Sequence, residues 1–161
     1  MKVASLLRKL RAFGLAGLLM LSALPLLAAP KNWALVTASG NKLQEVSMVE
    51  LAKLCKGTQK TWPDGRNFTL VIHDPESPEM RGPIQRLFGV APSEVKPLLA
   101  KLNESRHVIR IVESDEDLLR TVGATPGAVG LVDVYTINSA VKVLRIDGKL
   151  PFDAGYVFKS N

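Results

Sequence analysis

The 161-residue chain is 47% apolar, 22% charged and 6% aromatic, with twelve glycines, ten prolines and a single cysteine. That balance fits one ordinary globular domain and excludes a collagen-like or mostly disordered chain, while one cysteine excludes an intramolecular disulfide framework and any multi-cysteine metal site. The formal charge of +6 lies mostly at the front: residues 1–29 hold Lys2, Arg8, Lys9 and Arg11 and no acid, and the remainder sets seventeen Lys or Arg against fifteen Asp or Glu. No clustered basic stripe remains for nucleic acid, and that class is set aside.

After the basic stretch, residues 13–27 (FGLAGLLMLSALPLL) run without a charge, are interrupted by Pro25 and lead into Ala28-Ala29-Pro30. A positive segment, an apolar run and small residues in that order predict a secretory signal peptide over 1–29, cleaved after Ala29, and a domain over 30–161. The run falls short of the roughly 20 apolar residues of a membrane span. An uncleaved signal anchor is the alternative; both readings place the domain outside the cytoplasm, in the periplasm. The end of the run has no cysteine, so lipid attachment in the bacterial lipoprotein manner is excluded.

Residues 33–38 (WALVTA) are apolar and β-branched and end at Ser39-Gly40-Asn41, which predicts a strand running into a loop. Ser47 with Glu50 three residues on predicts a helix N-terminus with a capping box. Met48, Leu51, Leu54 and Cys55 then share one face, Cys55 reads as a buried core thiol, and Gly57 ends the helix.

Trp62-Pro63-Asp64-Gly65 has turn chemistry, because proline presets one torsion and glycine accepts the left-handed one. Residues 68–73 (FTLVIH) predict the next strand and 74–78 (DPESP) a loop. A helix follows through Leu87 and Phe88 to Gly89. If it began at Pro78, Pro83 would sit at its sixth position and break an internal hydrogen bond, so the regular helix is expected to restart at Pro83. Another helix opens at Pro92, suited to a first turn, and carries Val95, Leu98, Leu99 and Leu102 on its apolar face; Pro97 is expected to distort it.

Residues 108–112 (VIRIV) predict a strand. Ser114 before Asp115, Glu116 and Asp117 places an N-cap and three acids where a helix dipole favours negative charge, with Leu118, Leu119 and Val122 as the apolar face. After the turn Thr125-Pro126-Gly127, residues 128–134 (AVGLVDV) and 141–146 (VKVLRI) read as two more strands. Strands alternating with helices predict an α/β sandwich rather than a bundle or barrel.

Several of these pieces, in this order, resemble the second lobe of the periplasmic phosphate-binding proteins of ABC transporters. Residues 34–65, a strand and helix closed by Trp62-Pro63-Asp64-Gly65, are similar to that family's strand, helix and Trp-x-Asp-Gly turn. Residues 71–77 resemble the segment carrying its second phosphate-binding loop. Residues 112–132, with Ser114-Asp115-Glu116 and Pro126-Gly127-Ala128-Val129-Gly130, are similar to its proline-glycine-alanine-isoleucine-glycine-tyrosine stretch. The resemblance implies a single lobe of a type II periplasmic-binding-protein-like fold with a mixed sheet flanked by helices. It also implies phosphate or a similar small oxyanion as ligand, and a membrane transporter or sensor as partner. Where the family's loop has arginine, a spacer and serine-glycine-threonine, this chain has Asp74 and Ser77-Pro78-Glu79, so only Ser77 keeps its type.

Ser77 and Arg81 are the candidate anion-binding residues. Each has a plainer reading: Ser77 as a helix cap, and Arg81, like Arg86, as part of a solvated face. His73 and His107 lack ligand spacing and read as structural. Asp115, Glu116 and Asp117 are explained by a helix start without calcium, and Trp33 and Trp62 by turn and core packing. Gly-x-Ser-x-Gly, phosphate-cradling Gly-Lys-Ser and cysteine-histidine patterns are all lacking, so neither an enzyme nor a bound cofactor is expected. The two functional expectations are an exported oxyanion-binding lobe and a single-lobe periplasmic interaction or scaffold module without ligand.

Overall fold

The computed structural model describes residues 31–105 and 108–159; the expected leader over 1–29 and His107 lie outside the described residues. Three stretches, β1 (Trp33–Ala38), β3 (Thr69–Ile72) and β5 (Ala128–Asp133), are almost wholly buried. Apolar on both faces, they must lie inside a sheet covered on both sides. With β4 (Ile109–Ile111) and β6 (Val141–Val143) they form a mixed five-stranded sheet in the order β4-β3-β5-β1-β6. In it β3 runs parallel to β4 and β5, whereas β1 is antiparallel to β5 and β6.

Alternate side chains of each strand go to opposite layers. Leu35, Leu70, Ile72, Val129 and Leu131 pack under α1 (Met48–Cys55), α2 (Arg81–Phe88) and α3 (Pro92–Ser105). Ala34, Val36, Val71, Ala128 and Val132 pack under α4 (Asp115–Ala124). The result is a helix-sheet-helix sandwich, in agreement with the alternation read from the sequence. Among the described residues no helix is long and apolar enough to cross a membrane.

The two serine caps form as expected: Ser47 Oγ accepts from the Glu50 N–H and Ser114 Oγ from the Asp117 N–H, each at 3.1 Å. Glu50 uses its own carboxylate on Gln59 instead of closing the capping box. Leu51, Leu54 and Cys55 are buried, and burial pushes the Cys55 thiol up, so it is an inert core group. Trp33 and Trp62 are core residues, with the Trp62 indole N–H donating to the Gly127 carbonyl at 2.8 Å.

Two expectations are corrected. The helix before Gly89 begins at Arg81, capped by Met80 without a side-chain hydrogen bond, rather than restarting at Pro83. Pro83 is its third residue, where an amide hydrogen has no partner to lose. Pro97 is the sixth residue of α3, which runs through it to Ser105 with the ring on the exposed side; its missing N–H forfeits the internal bond to the Ser93 carbonyl. Residues 141–146 are two strands in two sheets. Leu144 leaves β6, donates its N–H to the Leu35 carbonyl at 2.8 Å, and leads into β7 (Arg145–Ile146), which pairs in parallel with β2 (Glu45–Val46). The apolar residues Val141 and Val143 face α4, whereas Leu144 and Ile146 face the other layer, the same alternation that one continuous strand would show, so the side-chain pattern does not mark the break.

Where β6 departs, the buried Leu35 N–H has no strand partner. The segment after β7 returns to supply one: the Tyr156 hydroxyl accepts that N–H at 3.3 Å, and Phe158 packs beside the Tyr156 ring. Burial pushes the Tyr156 phenol up to about 12, against a smaller downward pull from the Leu35 N–H.

A tight contact holds α4 to the sheet. A Cβ at Gly130 would lie 2.7 Å from Leu118 Cδ2 and 2.9 Å from Val122 Cγ2. Gly130→Ala is therefore expected to cost about 1–3 kcal/mol in denaturant unfolding, and Gly40→Ala, which meets no atom within 4 Å, to be near neutral. Because the unfolded phenol ionises near pH 10, as tyrosine does in peptides, and the folded one near 12, the unfolded chain loses its proton first. The stability contributed by Tyr156 is complete below pH 10 and falls as pH rises towards 12. Tyr156→Phe should remove that alkaline loss while costing about 1–3 kcal/mol at neutral pH for the unsatisfied Leu35 N–H, both read from denaturation midpoints across pH.

Candidate functional site

The two ends of the sheet differ. At the end where β3 and β5 begin, polar groups satisfy one another. Thr37 Oγ1 donates to the Ala128 carbonyl at 2.9 Å and accepts from Asn41 Nδ2 at 2.8 Å, while Arg66 Nη2 donates to Asn41 Oδ1 at 2.6 Å. At the other end the connections diverge: the chain leaves β3 towards α2 on one face and leaves β4 towards α4 on the opposite face. Adjacent parallel strands whose exits part in this way leave a crevice outside their carboxyl ends, the usual ligand position in open α/β sheets.

A cleft of about 670 Å³ occupies that crevice, lined by His73, Asp74, Ser77 and Glu79 from the exit of β3, by residues 111–115 from the exit of β4, and by Lys31. Lys31 arrives because β1 is antiparallel to β5 and begins where β3 and β5 end. Its ammonium pairs with Glu79 at 2.5 Å and lies 5.5 Å from the Trp33 ring centroid.

The β3 exit is held by short-range bonds. Asp74 Oδ1 accepts the Glu76 N–H at 2.9 Å, the Asp74 carbonyl accepts the Ser77 N–H at 3.1 Å, and the Ser77 carbonyl accepts the Met80 N–H at 3.1 Å. Across the cleft, His73 Nε2 and Asp115 Oδ1 meet at 2.7 Å and clasp the two exits together. The structural reading of His73 therefore acquires a partner 42 residues away in sequence. Four carboxylates, Asp74, Glu79, Glu113 and Asp115, face the cleft with Lys31 and His73, and both of these cationic or ionisable groups are engaged by carboxylates.

Ser77 and Arg81 are not brought into one depression. Ser77 lines the cleft, whereas Arg81 lines a neighbouring hollow of about 200 Å³ with Pro75, Glu76 and Ile84. Ser77 stands three residues before Met80 and does not cap α2, so its plainer reading as a cap is corrected. Asp115, Glu116 and Asp117 form the first turn of α4 as expected, and among the described residues no group of three or more His, Cys, Asp or Glu is arranged to hold a metal. Lys31 and the His73–Asp115 clasp were missed because each joins segments that only the strand order brings together.

No family model matches the chain. A curated protein, phosphate-binding protein PstS 2 of Streptococcus agalactiae, is 32% identical over 79 residues, which cover 49% of this chain and 26% of that protein. Among solved structures, PstS from Borrelia burgdorferi superposes with a TM-score of 0.58 at 18% identity, covering 81% of this chain and 55% of that one. An ABC-type phosphate transport receptor from Vibrio cholerae superposes at 0.56 and 16%, covering 75% of this chain and 48% of that one. The chain thus spans about a quarter of the curated relative and about half of these solved chains. Its fold is that of one lobe of a type II periplasmic-binding protein, and over part of its length it is related to phosphate ABC transporter binding proteins.

The clasp is open to direct test. Asp115→Ala should lower stability by about 1 kcal/mol and speed amide hydrogen exchange across residues 73–79. Glu116→Ala, in the same helical turn but without the histidine contact, should cost a few tenths of that and leave the exchange of those amides unchanged.

Proposed function

We propose that this chain is an exported, phosphate-receptor-like lobe that works beside a membrane transporter or sensor and engages phosphate weakly at the carboxyl-edge cleft. The observation that carries this reading is the coincidence of three things at one place: the diverging exits of β3 and β4, the cleft between them, and Ser77 on its wall. The basic and then apolar order of residues 1–29 supports placement outside the cytoplasm.

The chemistry of the wall sets both the strength and the selectivity. Ser77 offers a hydroxyl and Lys31 an ammonium, but Glu79 already engages that ammonium, so an incoming anion competes with an internal carboxylate. Asp74 and Glu113 repel a bare dianion and accept a hydrogen bond from one that carries a proton. Phosphate near neutral pH keeps a proton and sulfate does not, so the cleft favours phosphate over sulfate. Arg81, one hollow away, contributes long-range attraction without contact.

The excess of carboxylates favours a second reading, an interaction or scaffold lobe that has the fold without a ligand. Isothermal titration of the purified domain separates the two. The first reading predicts phosphate binding near 1 mM, about −4 kcal/mol, with no heat from sulfate, a loss of at least threefold in affinity in Ser77→Ala and a smaller loss in Arg81→Ala. Silence with 10-fold higher phosphate, on the order of 10 mM, would overturn it in favour of the second.

A further inference from the structure

We infer that the open edge of β4 is a docking site for an extended peptide segment that carries an apolar side chain next to a lysine or arginine. β4 is the edge strand, and its register pairs Leu70 with Ile109, Val71 with Arg110 and Ile72 with Ile111. The Leu70 N–H donates to the Val108 carbonyl at 2.7 Å and the Val112 N–H to the Ile72 carbonyl at 3.0 Å. Residues 108, 110 and 112 therefore turn their backbone groups towards β3, and Ile109 and Ile111 turn theirs outward.

The two outward positions are treated differently. At Ile109 both backbone groups are taken by one side chain: Asn103 Nδ2 donates to the Ile109 carbonyl and Asn103 Oδ1 accepts the Ile109 N–H, each at 3.0 Å. That amide substitutes for one residue of a neighbouring strand and guards the edge against casual pairing. At Ile111 no side chain among the described residues does the same. Its side chain, on the same face as the 4% exposed Ile109, is 57% exposed.

Beside this unguarded position lies a hollow of about 260 Å³ between α3 and the β3 exit, walled by Leu99, Ala100, Ile111 and Pro75. An edge that offers backbone bonds next to an apolar hollow is the arrangement by which a sheet receives an added strand, with the hollow reading one side chain. The charge around it selects the neighbour of that side chain. Asp74 and Glu76 stand on the rim with Lys96, which lies 3.8 Å from Glu76, and Glu113 follows two residues after Ile111 with no ion-pair partner among the described residues. Carboxylates in this position favour a basic flank and oppose an acidic peptide or an anionic membrane.

The test uses the full domain and fluorescein-labelled five-residue peptides in an anisotropy titration: Lys-Val-Leu-Val-Lys, its Glu-flanked counterpart, and the Lys-flanked peptide with both valines changed to proline. The Lys-flanked peptide should bind, with the Glu-flanked and proline peptides at least tenfold weaker. Ile111→Asp and Ala100→Trp, both at exposed positions and checked for folding by circular dichroism, should each weaken binding at least tenfold. No binding by the Lys-flanked peptide, equal binding by the Glu-flanked one, or affinity unchanged in both folded variants would overturn the inference.

Discussion

Burial of three strands on both faces is the constraint from which the rest of this molecule follows. β1, β3 and β5 have no polar face to offer water, so helices must cover the sheet above and below. Covering both faces obliges the chain to leave β3 in one direction and β4 in the other, and the space between those two exits is the cleft. The cleft is thus a by-product of how the apolar strands are hidden. Gly130 shows how close the covering is: the strand contributes no side chain there because Leu118 and Val122 already occupy the position.

The same constraint explains the unequal ends of the sheet. Where β3 and β5 begin, the hairpin of Trp62 and Arg66 folds over and closes its polar groups on Thr37, Asn41 and the backbone at 127–128. Where they end, the chain must part, and side-chain pairs tie the parted segments together: Lys31 with Glu79, and His73 with Asp115. These pairs consume the charges that would otherwise meet an anion. A lobe related to phosphate-binding proteins can in this way keep the cleft while filling it with its own carboxylates.

Much of the architecture was legible in local chemistry. Ser47 and Ser114 opened their helices as read, Gly89 closed α2 in the left-handed conformation, and the runs at 33–38, 68–73 and 128–134 gave the central strands within a residue or two. The start of α2 was misplaced because Pro83 is acceptable within the first turn, and two residues of offset decide whether a proline breaks a helix or begins one. The split at Leu144 was not legible, because Val141 and Val143 on one face with Leu144 and Ile146 on the other is the pattern of one continuous strand. The partnership of Tyr156 with Leu35 was not legible, since it depends on where β6 leaves the sheet and spans 121 residues. Ser77 lines the cleft and Arg81 a neighbouring hollow, although the two were read together, because sequence proximity does not say which side of a turn each residue faces.

The central claim is that the crevice between the β3 and β4 exits is the ligand end of the lobe. Backbone amide chemical-shift mapping by NMR during addition of phosphate tests it most directly. The account predicts shifts confined to residues 31, 73–79 and 111–115, with the amides around the hairpin at 61–67 unmoved. Shifts centred on that hairpin, or on the face of α1, would contradict it.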